Sequence, residues 1–323
     1  MTGRITDVPG VRVGHRTLMH GDICTGVTAI LPHGGDVFRE RPIAASYVLN
    51  GFGKSVGLMQ LDELGQIETP ILLTNTLSVG NCANALIRRT IAQNPGIGRQ
   101  LATVNPVVAE CNDGYLNDIQ AMAVTEADAF AALDVASIDF ASGAVGAGAG
   151  MSCFGFKGGI GTASAKLVLD GTPFRLGVLA LCNFGRPGDL RLPGGGRAPS
   201  PAVSAPEQGS VIVVVATDVP LEHRQLARVI RRGGVGIARA GSSWGHGSGD
   251  VFIGFSTANR TSLAPSSDLL PIQVLAEPRI DWLFEAMADA TEAAVLDALT
   301  AAETTTGRAG HVRQSLRSAG EES

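Results

Sequence analysis

Short apolar runs broken by glycine mark the first part of the chain. Val11–Val13, Val27–Leu31 and Ile71–Thr74 are bounded by Gly or polar residues and read as short strands. The period then changes. Across Asn81–Asn94, apolar Ala83, Leu86, Ile87 and Ile91 recur three to four residues apart, which predicts a helix. Val104–Ala109 reads as a buried strand ending at Glu110, and Leu167–Leu169 and Leu176–Leu181 as a pair of strands. Val211–Ala216 is rich in β-branched residues with no polar alternation, the pattern of an inner strand buried on both faces. Leu221–Ile237 follows as a helix, with Asp218 and Pro220 near its start and Gly233-Gly234 interrupting it late. Phe252–Phe255 is a further strand. Trp282–Ala302 is the clearest helix, with Leu283, Met287, Val295, Leu296 and Leu299 on its apolar positions. The Pro-, Gly- and Arg-rich stretch Arg186–Gln208 reads as a surface loop, because strands of the same type flank it. The polar tail after Gly307 reads as frayed. Strands and helices alternate without a strict βαβ repeat. The expected architecture is α/β, a four-layer α-β-β-α sandwich in which residues 1–323 form a single domain.

Composition narrows the function classes. The net charge of −5 argues against nucleic-acid binding. The one dense basic group, Arg228, Arg231 and Arg232, falls on a predicted helix and reads as a solvated helix end. Apolar runs are strand-length, far short of a bilayer span, so no membrane partner is expected. Hydrophobic residues make up 45% of the chain and charged residues only 17%, which favours burial between subunits and predicts a homo-oligomer. Met1–Gly14 has no apolar stretch of the kind secretory signals carry. The five cysteines are scattered, with no Cys-x-x-Cys pair, so reduced thiols and a cytoplasmic setting are expected.

Several common motifs fail on inspection. Gly51-Phe52-Gly53-Lys54-Ser55 resembles the end of a phosphate-binding loop, but Val48 stands where the first glycine is needed. The glycines at Gly146, Gly148 and Gly150 are followed by Met151 at the third position of a dinucleotide fingerprint. A hydrolase nucleophile elbow around Ser248 would need glycine at both His246 and Asp250. The six histidines show no metal-ligand spacing. No metal and no cofactor are expected. A Ser-His-Asp triad drawn from distant positions stays open.

One stretch offers specific chemistry. Gly245-His246-Gly247-Ser248-Gly249-Asp250 feeds the apolar run Val251–Phe255. Glycine on either side of a serine permits backbone conformations closed to other residues. Such a turn allows Ser248 Oγ to attack the Gly247 carbonyl. Hydrolysis of the resulting ester would leave Ser248 as a new N-terminus, whose α-amine, with a typical pKa near 7.7–8.0, is a base within reach of its own hydroxyl. A Gly-Ser-Gly segment is also the composition of an ordinary turn.

Longer stretches bear on that choice. Glu68–Thr76, Pro106–Asp118, Met151–Ser164, Asn183–Arg186, Val213–Leu221 and Gly247–Asn259, in this order along the chain, resemble the DmpA-like family of L-aminopeptidase/D-amidase-esterases and β-peptidyl aminopeptidases. The resemblance covers roughly Ile5–Gly307. It implies the sandwich fold shared with ornithine acetyltransferases, whose nucleophile is threonine. It also implies cleavage into 1–247 and 248–323, and removal of N-terminal residues from peptides, amides or esters by a serine nucleophile at Ser248. Under the resemblance Asn183 would donate its amide to the oxyanion, Glu110 would hold the substrate ammonium, and the assembly would be a tetramer. The family further places a glutamate on the helix after the nucleophile strand, with a serine two residues earlier. Glu292 is the candidate here, although Ala290 stands in the serine's place. Asn75 and Lys157 fall in matching motifs without an assigned role, and His246 would end the first fragment. The competing functions are an acyltransferase of the same fold, which passes the acyl group to an amine, and a non-catalytic binding protein that keeps the fold.

Overall fold

Two sheets built from β-branched and small residues lie face to face in the computed structural model, which describes residues 2–199 and 208–321. In chain order the strands are β1 (Arg12–His20), β2 (Ile23–Leu31), β3 (Glu40–Gly51), β4 (Ile71–Asn75), β5 (Val107–Cys111), the short β6 (Ser152–Cys153) and β7 (Phe156–Lys157), β8 (Gly159–Leu169), β9 (Thr172–Asn183), β10 (Gln208–Thr217) and β11 (Gly247–Ser262). The main helices are α1 (Leu58–Leu64), α2 (Val79–Gln93), α3 (Glu126–Asp134), α4 (His223–Ile230), α5 (Gly233–Ala240) and α6 (Asp281–Ala301). One sheet has the order β1-β2-β4-β5, the other β3-β11-β10-β9-β8.

Alternation along β10 explains its uninterrupted apolar sequence. Ile212 and Val214 meet Ile30, Leu73, Val107 and Ala109 of the opposite sheet, while Val211, Val213 and Val215 point into the helical layer behind. That layer is α4, α5 and α6, whose Leu226, Ile237 and Met287 join the same cluster. On the far side of the molecule, Cys82 and Leu86 of α2 and Leu133 of α3 cover Val27, Ala29 and Val108. The layers are therefore α-β-β-α, as expected. No helix among the described residues is long and apolar enough to cross a membrane.

Several expectations need adjustment. The helix predicted over Leu221–Ile237 is two helices. At the break, a side chain on Gly233 would collide with Phe252 at 2.5 Å and Met287 at 2.7 Å. α2 starts earlier than predicted and buries Val79, Cys82, Ala85, Leu86 and Thr90, leaving Ile91 40% exposed. The tail is held rather than frayed: Thr305 and Thr306 pair with Arg313 and Val312, and Gln314 O accepts a bond from Lys157 N. β3 was not anticipated. Its Pro42 and alanines give little strand signal, and pairing with β11 holds it in place. The paired strands β8 and β9 are joined by Asp170-Gly171, both at positive φ, the geometry of a tight hairpin turn.

Candidate active site

β11 begins at Gly247 and runs parallel to β10, with Ser248 opposite Gly209. Gly247 and Ser248 are the first two residues of β11. The turn leading in is held by Ser248 N, which donates to Gly245 O at 2.9 Å, and by Asn50 at the end of β3, whose Nδ2 donates to Gly245 O at 3.0 Å and also to Ser248 O. Neither glycine flanking Ser248 takes a left-handed conformation; the left-handed residue of this turn is Trp244, at φ +53°. Gly249 is needed for close approach instead. A Cβ there would lie 2.7 Å from Phe52 O and 3.0 Å from Ser210 Oγ. Ser248 is fully buried, and its Oγ donates to Asp250 Oδ1 at 2.7 Å.

A cavity of about 1070 Å³ lies against this turn. Gly245, His246 and Gly247 form one wall and Gly209 and Ser210 line it from β10, while Ser248 is not among the lining residues. Phe52 and Lys54 line it from the loop after β3, Glu110 and Asn112 from the end of β5, and Asn183 from the end of β9.

Glu110 belongs to the other sheet, yet reaches the same cavity because the strand ends converge. Its residue is 2% exposed. Oε1 accepts from Lys54 N at 2.8 Å, and Oε2 accepts from Thr76 Oγ1. Among the described residues no cation pairs with it, so a buried carboxylate faces the cavity held only by neutral donors. Asn183 is anchored on both sides of its amide. Oδ1 accepts from Ser152 N at 2.9 Å, and Nδ2 donates to Asn112 O at 2.8 Å. An amide nitrogen carries two protons, so one remains beyond the bond to Asn112.

Glu292 lies elsewhere. It sits on α6 in the outer helical layer, its carboxylate 3.7 Å from Arg239, its side chain 34% exposed, and it does not line the cavity. Asn75 is a cap: its Oδ1 accepts from Leu77 N and Ser78 N, and its Nδ2 donates to Thr25 Oγ1. Lys157 is a fully buried tie, its Nζ donating to the carbonyls of Gly148, Met151 and Gly158. Burial draws the Lys157 pKa down to about 7, against the opposing pull of Cys24 and Asp113. Burial also raises Asp113 to about 6. His246 has its ring beside that of Phe52, 6.2 Å between centres.

Two contributors were not identified from sequence. Lys54 looked like part of a failed phosphate loop, and its backbone N–H instead holds Glu110. Asp250 looked like the residue that spoils a nucleophile elbow, and its carboxylate instead accepts the Ser248 hydroxyl. Strand alternation alone could have flagged Asp250, since residues two apart on a strand share a face. Among the described residues, no cluster of three or more His, Cys, Asp or Glu is placed to hold a metal.

Residues 3–313 match the family model of peptidase family S58. The chain is an S58 peptidase. It is 38% identical over 342 residues to the β-peptidyl aminopeptidase BapA of Sphingosinicella microcystinivorans, an alignment covering 97% of this chain and 85% of that one. Among solved structures it resembles the PH0078 protein from Pyrococcus horikoshii OT3, with a TM-score of 0.91 and 44% identity over 99% of this chain and 92% of that one. It also resembles the L-aminopeptidase D-Ala-esterase/amidase from Ochrobactrum anthropi, described as a variant of the Ntn hydrolase fold, with a TM-score of 0.90 and 34% identity over 100% of this chain and 95% of that one. This S58 peptidase is thus a hydrolase of the N-terminal-nucleophile aminopeptidase type, with the sandwich fold expected of it.

Proposed function

We propose that the S58 peptidase cuts itself between Gly247 and Ser248, then releases N-terminal residues from peptides, amides or esters through an acyl-enzyme on Ser248. The observation that carries this is that buried Ser248 directly follows Gly247, a residue of the cavity wall, with the carboxylate of Glu110, held by Lys54 N, lining the same cavity. Cutting would free that wall to move and expose the nucleophile. The new α-amine of Ser248 would take the hydroxyl proton, Oγ would attack the substrate carbonyl, and the free proton of Asn183 Nδ2 would meet the oxyanion. Glu110 would hold the substrate ammonium, which limits cleavage to the first residue. Because two relatives are named β-peptidyl aminopeptidases, β-alanyl as well as α-aminoacyl substrates belong in the first panel. Leu269, Leu270, Ile272 and Val274 form an exposed apolar run, 84%, 47%, 53% and 52% exposed, which supports self-association.

The test is a denaturing gel and intact mass on purified wild type and Ser248→Ala, with p-nitroanilide turnover measured on both. The wild type should separate into 1–247 and 248–323 and be active; the variant should stay whole and inert. A wild type that is uncut yet active would overturn the reading.

A further inference from the structure

We infer that Lys54 selects substrates whose first residue carries an acidic group, a specificity that rests on the reading of Glu110 as the holder of the substrate ammonium. The charged side chains that line the cavity are Lys54, Glu110 and Arg186, with His246 beside them. Arg186 is already committed, its Nε donating to Asp189 Oδ2 at 2.9 Å. Lys54 is not. Among the described residues no carboxylate forms an ion pair with it, and its Nζ rests 4.4 Å from the centre of the Phe52 ring. At an exposed position such a contact with an aromatic face is a weak hold, readily exchanged for a carboxylate.

The placement of Lys54 assigns the acidic group to the first residue of the substrate. Its backbone N–H donates to Glu110 Oε1 at 2.8 Å, so the side chain springs from the point where the substrate ammonium would be held. The ammonium of Lys54 itself goes elsewhere, over Phe52, and leaves Glu110 open. A bound substrate ammonium would neutralise Glu110, and Lys54 would then stand as an unbalanced cation in the same cavity. A carboxylate on the first residue restores the balance. A neutral side chain gains nothing from Lys54, and a basic one meets like charge. The flexible stem of lysine and its three rotatable donors suit an acidic group on a side chain of either aspartyl or glutamyl length.

The experiment measures kcat/KM of the purified protein on glutamyl and glutaminyl p-nitroanilides, which match in size and differ in charge, in both the α and the β-homo series. The wild type should favour the glutamyl substrate roughly 5- to 20-fold, between the strength of an exposed ion pair and that of a desolvated one. Lys54→Met should bring the ratio to about one, and Lys54→Glu should take it below one. Both variants keep the backbone N–H that holds Glu110, and the replaced side chain is exposed, so the fold should persist. Equal wild-type rates on the two substrates would overturn the inference. So would equal losses on both in Lys54→Met, which would mean that the side chain only shapes the site. Alanyl dipeptides with free and with amidated C-termini test the other source of a carboxylate. If the loss in Lys54→Met falls on the free C-terminus and spares the glutamyl side chain, the assignment to the first residue is refuted. N-acetylated glutamyl p-nitroanilide separates this inference from the reading beneath it. A wild type that cleaves it as fast as the free amine removes the role of Glu110, and this inference with it. A wild type that demands a free amine but ignores the glutamyl charge removes this inference alone.

Discussion

Replacing Glu110 by Gln removes one charge from the cavity and little else. The carboxylate is 2% exposed and held by Lys54 N at 2.8 Å and by the Thr76 hydroxyl. Glutamine has nearly the same volume. Its Oε1 can keep the Lys54 bond, and the Thr76 hydroxyl can rotate to accept from Nε2, so no buried polar atom is orphaned and the fold should persist. The loss falls on the substrate ammonium, which exchanges an ion pair with a carboxylate for a hydrogen bond to a neutral amide. A charged partner of this kind contributes about 1.5–3 kcal/mol, so kcat/KM should fall roughly 10- to 150-fold. The assay compares initial rates on a free-amine p-nitroanilide and on its desamino counterpart. Only the first should drop, which narrows the preference of the enzyme for a free amine. Self-cleavage should continue, because it involves no substrate ammonium. Unchanged free-amine kinetics would take Glu110 out of the site. Equal losses on both substrates would refute an ammonium contact.

Asn183→Ala should lower kcat by about 10²–10³ with a smaller effect on KM, as expected for an oxyanion donor, and steady-state kinetics would show it. Glu292→Gln should leave turnover unchanged and shift urea stability by no more than about 0.5 kcal/mol, because the side chain is about one-third exposed and its ion pair with Arg239 is loose at 3.7 Å. His15 gives a pH signature. Its Nε2 meets Ala141 O and its Nδ1 meets Thr28 Oγ1, which fits the neutral ring, and burial lowers its pKa to about 4. The unfolded chain, with an ordinary histidine pKa near 6.5, binds the proton first as pH falls. Stability should therefore be full above about pH 6.5 and be lost toward pH 4 by up to roughly 3 kcal/mol; urea midpoints of His15→Gln should lack that share of the slope.

Much of this molecule was legible because its strands are buried on two sides. Val211–Ala216 has no polar residue to obscure it, and the structure uses both of its faces. β3 was not legible, since Pro42 and its small residues acquire strand conformation only from long-range pairing with β11. The site divides in the same way. Ser248 announces itself through its glycines, although those glycines serve close packing rather than a left-handed turn. Glu110 and Asn183 could be suspected as polar ends of apolar strands, and the structure brings both to the cavity. That Lys54 would hold Glu110 depends on a contact between positions 56 apart in the chain, and no local pattern encodes such a contact. Glu292 shows the converse. A helix position that matches a family pattern carries no information about which layer the helix occupies, and α6 lies in the outer one.

The central claim is that the N-terminal serine left by the cut carries the acyl group. Purified wild-type protein mixed with a slowly deacylated aminoacyl ester, quenched in acid within one turnover and weighed intact, tests it directly. The fragment 248–323 should gain the mass of one aminoacyl group, mapped to Ser248, while 1–247 stays unchanged. Turnover with no adduct on the smaller fragment, or with an adduct on any other residue, would contradict the account.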